Sequence, residues 1–370
     1  MSTTGRAALF HGPGTPFEIA ELPVVAPHPD GATIRITRAN VCGSDVHAWL
    51  GHFDMTRMGT TFPTILGHEA AGVVAALGEN VSTDVNGVPL AVGDRVTFAY
   101  YQPCGHCRSC MKGRPNACVK QTMAMFGSAA DAPHFVGVFG EYFALGPRST
   151  IVKAPDGVPD SVLAGANCAL AQVISGFDEI VIEHGDNVVI QGAGGLGLYA
   201  TAVARERGAG EVIVIDANEQ RLALAQEFGA TAVISMQEVP EVRDRIRRVR
   251  QLTESWGADV VVEVAGVPQA VTEGLAMIGA HGKYLIMGAV GSTDTIDLAP
   301  SRLILGNIQM RGVGFYRPES LVRGVNFLAR NIDRLPFDSL SSEAYPLDQI
   351  GEAMESARSQ GVARPSLTLA

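Results

Sequence analysis

The sequence predicts a mixed α and β protein in two parts, a mostly β domain and a doubly wound α/β domain with a parallel sheet. Three observations carry this. Up to about residue 150 the chain consists of short β-type runs broken by Gly and Pro. From Asn187 onward apolar strands alternate with helical patterns. The length, 370 residues, also exceeds what one hydrophobic core usually serves.

In the first part, Thr33 to Thr37 and Gly72 to Ala76 read as strands. In the second, Val188 to Gln191 reads as a strand, Leu198 to Glu206 as a helix, Val212 to Asp216 as a strand and Glu219 to Phe228 as a helix. Asp259 to Val264 and Lys283 to Gly288, each bounded by Gly, add two strands. Strand alternating with helix implies a parallel sheet covered on both faces. Arg243 to Arg250 interleaves arginines with Asp244, Ile246 and Val249 at helical spacing, which predicts a solvated helix face and no function. Beyond about residue 310, Pro318, Pro336 and Pro346 break the pattern. That tail either forms a third piece or returns to the first domain.

Composition bounds the function. Hydrophobic residues make up 46% and charged residues 18%, which excludes a disordered chain. Against 28 basic residues stand 38 acidic ones, a formal charge of -10, so nothing draws the chain generally to nucleic acid or an anionic membrane. Small molecules are the expected partners. The start lacks a basic segment followed by an apolar one, and no run of about 18 apolar residues occurs, so a cytoplasmic location is expected. In a reducing compartment the six cysteines read as metal or catalytic thiolates rather than disulfides.

Val188 to Gln191 runs directly into Gly192-Ala193-Gly194-Gly195-Leu196-Gly197, and a helix comes next. Between strand and helix this spacing is a dinucleotide-binding turn: Gly192 makes the bend, Gly194 admits the pyrophosphate, and Gly197 lets helix pack on strand. Asp216 ends the next strand about 20 residues later, where an acid binds ribose hydroxyls. A carboxylate there repels a 2′-phosphate, so NAD is expected over NADP, with Arg221 close enough to soften the preference. The competing reading is a glycine-rich turn whose strand-end carboxylate only caps a helix.

Cys104, Cys107, Cys110 and Cys118 form C-x2-C-x2-C-x7-C in a loop-like stretch containing Gly105, Gly113 and Pro115. Four thiolates from one short loop suit a closed structural zinc site, with an iron-sulfur cluster as the chemical competitor. His106 is expected to face solvent. Cys42 opens Cys42-Gly43-Ser44-Asp45-Val46-His47; Gly67-His68-Glu69 comes later, and Cys168 stands in an Ala-rich run. Together Cys42, His68 and Cys168 would supply two thiolates and an imidazole with one zinc position left open. Singly, a buried Cys is usually a small core hydrophobe and a lone His a satisfied polar residue. The Ser, Asp, His and Glu crowding Cys42 and His68 are an expensive mixture to bury without a task.

In these motifs, from Cys42 to the glycine turn, the chain resembles the zinc-containing, medium-chain alcohol dehydrogenases over almost its whole length. The resemblance implies a mostly β, GroES-like catalytic domain of residues 1–169 and 313–370, with a Rossmann-type NAD-binding domain, 170–312, inserted between. It implies two zinc ions per chain: a catalytic one on Cys42, His68 and Cys168, with Glu69 behind it and Asp45 orienting His68, and a structural one on the four-cysteine lobe. Ser44 and His47 correspond to the proton relay, and Arg364 to a residue reaching the cofactor pyrophosphate. A homo-oligomer, dimer or tetramer, is implied, with Ile308 to Val313 as the pairing edge.

The chain departs from the pattern of the family it resembles in three places. Many polyol and threonine dehydrogenases carry a carboxylate near Cys168, which favours alcohol-type members here. Gly43 replaces the basic residue that some members place by the pyrophosphate. The segment 123–139 is longer than usual. The expected reaction is hydride transfer between an alcohol and NAD, giving the aldehyde or ketone. Trp49, Phe53, Met55, Met58 and Phe62 hint at an apolar pocket and a hydrophobic or secondary alcohol. Rival readings are a polyol or sugar dehydrogenase, a carbonyl reductase, and a non-enzymatic protein that binds NAD and zinc.

Overall fold

The computed structural model describes residues 3–52, 54–288, 295–341, 343–359 and 364–369. Phe53, which the sequence assigns to the apolar pocket, lies outside the described residues. The chain divides into two compact units, Met1–Ala171 with Arg317–Ala370, and Gln172–Tyr316.

The first unit is mostly β. Its seven-stranded sheet runs in the order Ile151–Lys153, Arg95–Phe98, Glu69–Leu77, Ala32–Asn40, Ser366–Thr368, Ala344–Pro346, and Tyr142–Leu145 also pairs with Ala32–Asn40. A three-stranded sheet of Glu18–Pro23, Thr4–Phe10 and Thr64–Ile65 stands beside it. Alternation drives the packing: Ile34 and Ile36 are buried with Phe10, Phe98, Phe139 and Phe143, while Arg35 between them is only half-buried. The end of the central strand is where the chain gathers its polar residues. Asn40 pairs with Glu69 on one side and with Ser366 on the other, so residues flanking all three positions are brought to one end of the sheet.

The second unit is a six-stranded sheet of β1 (Val188–Gln191), β2 (Val212–Asp216), β3 (Ala232–Ser235), β4 (Ala258–Glu263), β5 (Ile278–Ile286) and β6 (Gln309–Gly312). Every pairing is parallel and the order is β3-β2-β1-β4-β5-β6, that of a doubly wound nucleotide-binding fold. Helices Gly195–Glu206, Glu219–Glu227 and Pro268–Met277 connect strands, and Val189, Ile213, Val261 and Tyr284 meet in the core. β3 is a four-residue strand too short to stand out in the sequence, and β5 begins at Ile278, earlier than expected.

One expectation is corrected. The helix Val242–Leu252 is not solvated all along its arginine face, because Arg245 is buried and donates to both carboxylate oxygens of Glu273 at 2.7 and 2.8 Å. Its guanidinium also donates to the carbonyls of Val239 and Pro240, and this full set of acceptors makes its burial tolerable. Among the described residues, no helix is long and apolar enough to cross a membrane.

Candidate active site

Cys42 lies just past the central strand of the first unit and caps the helix Gly43–Trp49. His68 precedes, and Glu69 opens, the neighbouring strand Glu69–Leu77. The chain reaches them through Gly67, whose φ of +88° suits glycine and whose Cβ would fall 2.5 Å from the Phe139 ring. Cys168 arrives on a π-helical turn, Ala166–Leu170, a distortion often found at functional sites. Cys42, His68, Glu69 and Cys168 are all buried, and their ligand atoms lie within 4.8 Å of one another.

Asn167 fixes the approach of Cys168. Fully buried, it donates to the carbonyls of His68 at 3.0 Å and Phe98 at 2.8 Å, and accepts from the Ala70 N–H at 3.3 Å. Sequence reasoning missed it, although a lone polar residue in an Ala-rich run was the available signal.

Asp45 holds the cluster from behind. One carboxylate oxygen lies 3.1 Å from Nδ1 of His68, and the other accepts the Cys42 N–H at 2.9 Å. With Nδ1 engaged, Nε2 is the nitrogen His68 has left for a metal. Burial pulls His68 down, but the charge of Asp45 and its hydrogen bond prevail and hold the imidazole well above its ordinary pKa. A hydrogen bond from Cys168 pulls the Cys42 thiol well below its ordinary pKa, against burial, and the same contact pushes Cys168 up. Two thiols, an imidazole and a carboxylate buried together form a donor set that fits zinc.

Glu69 is fully buried, and burial raises its carboxyl to about 7 against the opposing charge of Arg364. The structure places the Arg364 guanidinium on Glu69, a contact the sequence did not anticipate, and Asn40 donates to the same carboxylate at 3.4 Å. Ser44 and His47 stand one helical turn apart on Gly43–Trp49, both half-buried. Nδ1 of His47 lies 2.8 Å from Nδ1 of His52.

Four of the apolar residues that the sequence offers as a pocket are described, and they divide between core and surface. Met55 is a core residue, Phe62 packs edge-on against Phe10, Trp49 rests on the same core, and Met58 is 52% exposed. Met55, Phe62 and Trp49 thus serve burial, the commoner fate of such residues, while Met58 does not.

Cys104, Cys107, Cys110 and Cys118 also bring their sulfurs within 4.8 Å of one another, and no cysteine is in a disulfide. The short helical turns between them, Arg108–Met111 and Pro115–Ala117, bury no residue, so apolar packing does not organise this lobe. Backbone N–H groups of Cys104 and Lys120 point at the Cys118 sulfur at 3.3 and 3.4 Å, donors that suit a thiolate. His106 is exposed and its Nδ1 lies 2.7 Å from the Cys104 carbonyl oxygen.

In the second unit, the three glycines of the turn have three separate reasons. Gly192 has φ +105° and its Cβ would crowd the Ala265 backbone at 3.0 Å. Gly194 has open space around it, and a Cβ on Gly197 would fall 1.8 Å from the Gly192 carbonyl oxygen. Gly194 caps the helix that Gly195, Leu196 and Gly197 open, leaving a helix N-terminus beside that space. Asp216 accepts from the Ala193 N–H at 2.6 Å and from the Asn218 N–H at 2.8 Å, tying the end of β2 to the turn. Burial lowers the pKa of Arg221, opposed by the charge of Asp216.

Comparison with known proteins agrees with this geometry. Residues 28–156 match the family described as alcohol dehydrogenase GroES-like domain, and residues 195–330 the family described as zinc-binding dehydrogenase. The chain is 35% identical over 350 residues to 5-exo-hydroxycamphor dehydrogenase of Pseudomonas putida, covering 94% of each protein. The structure of an alcohol dehydrogenase from Thermotoga maritima, 29% identical, superposes with a TM-score of 0.92 over 99% of each chain. A zinc-binding dehydrogenase of Sinorhizobium meliloti solved with NADP is 25% identical, with a TM-score of 0.85 over 99% of each chain. The chain belongs to the zinc-containing, medium-chain alcohol dehydrogenase family.

Proposed function

We propose that this oxidoreductase transfers a hydride between a hydrophobic, secondary alcohol and NAD, giving the ketone, with Cys42, His68 and Cys168 holding a catalytic zinc. The observation that carries this reading is the buried cluster itself, where two thiols, one imidazole and Glu69 converge and Asp45 fixes the imidazole from behind. When bound, zinc supplies a Lewis acid that acidifies the substrate hydroxyl, and NAD supplies the hydride acceptor.

The chain's own residues do the rest. Ser44 would take the hydroxyl proton, and His47, one helical turn further along the same helix, would hold it before its release to solvent. Glu69 backs the zinc site and Arg364 sets its charge. The open space at Gly194 receives the pyrophosphate, and Asp216 binds the ribose hydroxyls, favouring NAD over NADP. The four-cysteine lobe holds a second, structural zinc. In this reading residues 1–169 and 313–370 form the catalytic domain and 170–312 the coenzyme domain. The outer strand Gln309–Gly312 pairs with a second copy of the chain.

The secondary-alcohol preference draws on the hydroxycamphor relative. The test is reduction of NAD or NADP by zinc-replete protein across 5-exo-hydroxycamphor, cyclohexanol, benzyl alcohol and sorbitol, with a chelator control. Chelator-sensitive NADH formation greatest with the alicyclic alcohols is expected. Sorbitol as the best substrate would overturn the substrate class, and equal use of NADP the role of Asp216.

A further inference from the structure

His52 has no part in the proposed chemistry, yet it forms a close contact with a residue that does. Its Nδ1 lies 2.8 Å from Nδ1 of His47, and the two rings stand 5.1 Å apart at 51°. His47 is half-buried and His52 is exposed. A hydrogen bond between two δ nitrogens holds one proton, so one ring donates from Nδ1 and the other accepts with a bare Nδ1. When His47 is the donor, its Nε2 is bare and ready to accept a proton. Two cationic rings at this distance would repel each other.

Other charges stand on the elements around the pair, and most of them are paired elsewhere. Asp45, on the same helix, is committed to His68 and Cys42. On the next turn of chain Asp54 accepts from Thr56 and pairs with Arg57. The helix Ile350–Ser359, which packs on the helix of His47, brings Glu352, Glu355 and Arg358, the last two paired with each other. Asp348, just before it, pairs with Arg6.

We infer that His52 is the positioning residue of the relay, selecting the tautomer of His47 and carrying its proton on to solvent; this rests on the proposed relay through Ser44 and His47. A proton arrives at Nε2 of His47, the Nδ1 proton of His47 passes to Nδ1 of His52, and His52 releases a proton from Nε2 to water. One proton enters and one leaves, no electrons move, and both rings end neutral with exchanged tautomers. That arrangement serves the reverse reaction directly and resets through water.

The test uses the full chain and the variants H52L, H52Q and H47Q. Side-chain ¹⁵N shifts of histidine-labelled protein, free of metal and cofactor, report the tautomer of His47. Wild type is expected to be protonated at Nδ1, H52Q to keep that form because the amide oxygen accepts, and H52L to revert to the Nε2-protonated form. Proton release in a single turnover of cyclohexanol with NAD, monitored with a pH indicator, is expected to slow about tenfold in H52L and H52Q. Added imidazole should restore it. An unchanged His47 tautomer in H52L, or unchanged proton release in H52L beside slowed release in H47Q, overturns the inference. Unchanged release in H47Q overturns the relay reading itself.

Discussion

Arg364 and Glu69, 295 positions apart in the chain, meet as a buried ion pair, with side chains 4% and 0% exposed. Sheet pairing explains the meeting, since Arg364 just precedes the strand Ser366–Thr368 and Glu69 opens a strand on the other side of Asn40. Neither charge is cheap to bury alone. Removing one partner of such a pair typically costs about 3–5 kcal/mol, because the other is left unpaired in a poor solvent.

R364M is therefore expected to lower stability by about that amount and to push the Glu69 carboxyl further above its present value. E69Q/R364M should cost clearly less than the two single changes added together. Urea unfolding of the three variants measures the coupling, and additive losses would show that the pair is not a unit.

Asp45 divides its two oxygens between His68 and the Cys42 backbone. An asparagine can accept at only one of those places, so D45N should leave either the ring or the loop unheld. Zinc affinity is expected to fall about 10- to 100-fold, the usual consequence of losing a group that orients a metal-bound histidine. Competition with a chromophoric chelator reads this without substrate. Unchanged affinity would confine Asp45 to capping its helix.

Much of the fold was legible because its pattern is local. β1 occupies Val188–Gln191 as the alternation indicated, and Asp216 sits at the end of β2. The cysteines and His68 stood out because such residues are rarely clustered without a task. The means of bringing them together were not legible. That Asn40 lies between Glu69 and Ser366 is a matter of strand pairing across the chain, which no local period encodes. Arg245 looked solvated because helical periodicity reports a residue's face, whereas its burial depends on Glu273 from another helix. Met55 and Phe62 were ambiguous for a simpler reason: core and pocket walls use the same apolar side chains. His52 was missed because a lone histidine in a loop has no spacing to read.

Asp216 accepts from the Ala193 N–H of the turn and, in the proposed role, binds the ribose hydroxyls, so its replacement has two effects. D216A is expected to relax the discrimination against NADP and also to raise the KM for NAD, because the Ala193 N–H loses its acceptor. Asparagine keeps an acceptor for that N–H without the charge. D216N should therefore use NADP better than wild type while losing less NAD affinity than D216A. Steady-state kinetics with both cofactors separates charge from turn geometry, and an unchanged cofactor ratio in both variants would remove Asp216 from the choice.

Asp186 gives a dependence on pH with a definite sign. Burial raises its carboxyl above the ordinary 3.8, while the Glu183 N–H donates to it at 2.8 Å and the charge of Asp259 adds to the rise. An acid with a raised folded pKa binds its proton more tightly folded than unfolded. Stability from this site is thus greatest below 3.8 and falls as pH rises through the window up to the folded value. D186N retains an acceptor for Glu183 but cannot ionise, so it should melt higher than wild type at pH 7 and lose that part of the pH dependence. Melting curves of both proteins from pH 3 to 7, about four units spanning the window, decide it; parallel curves would show that the burial penalty is absent.

The four-cysteine lobe buries nothing in its short helical turns, so its order must come from something other than apolar packing. If zinc supplies it, C110S should bind about one metal ion fewer per chain and melt lower, since binding energy at a structural site is folding energy. The loss should be local, with proteolysis cutting first between Cys104 and Cys118 while the second unit stays intact. Metal analysis beside limited proteolysis tests both halves. A variant that keeps its full zinc content and resists cleavage there would mean that backbone hydrogen bonds to sulfur, such as Cys104 N–H to Cys118, suffice to hold the lobe.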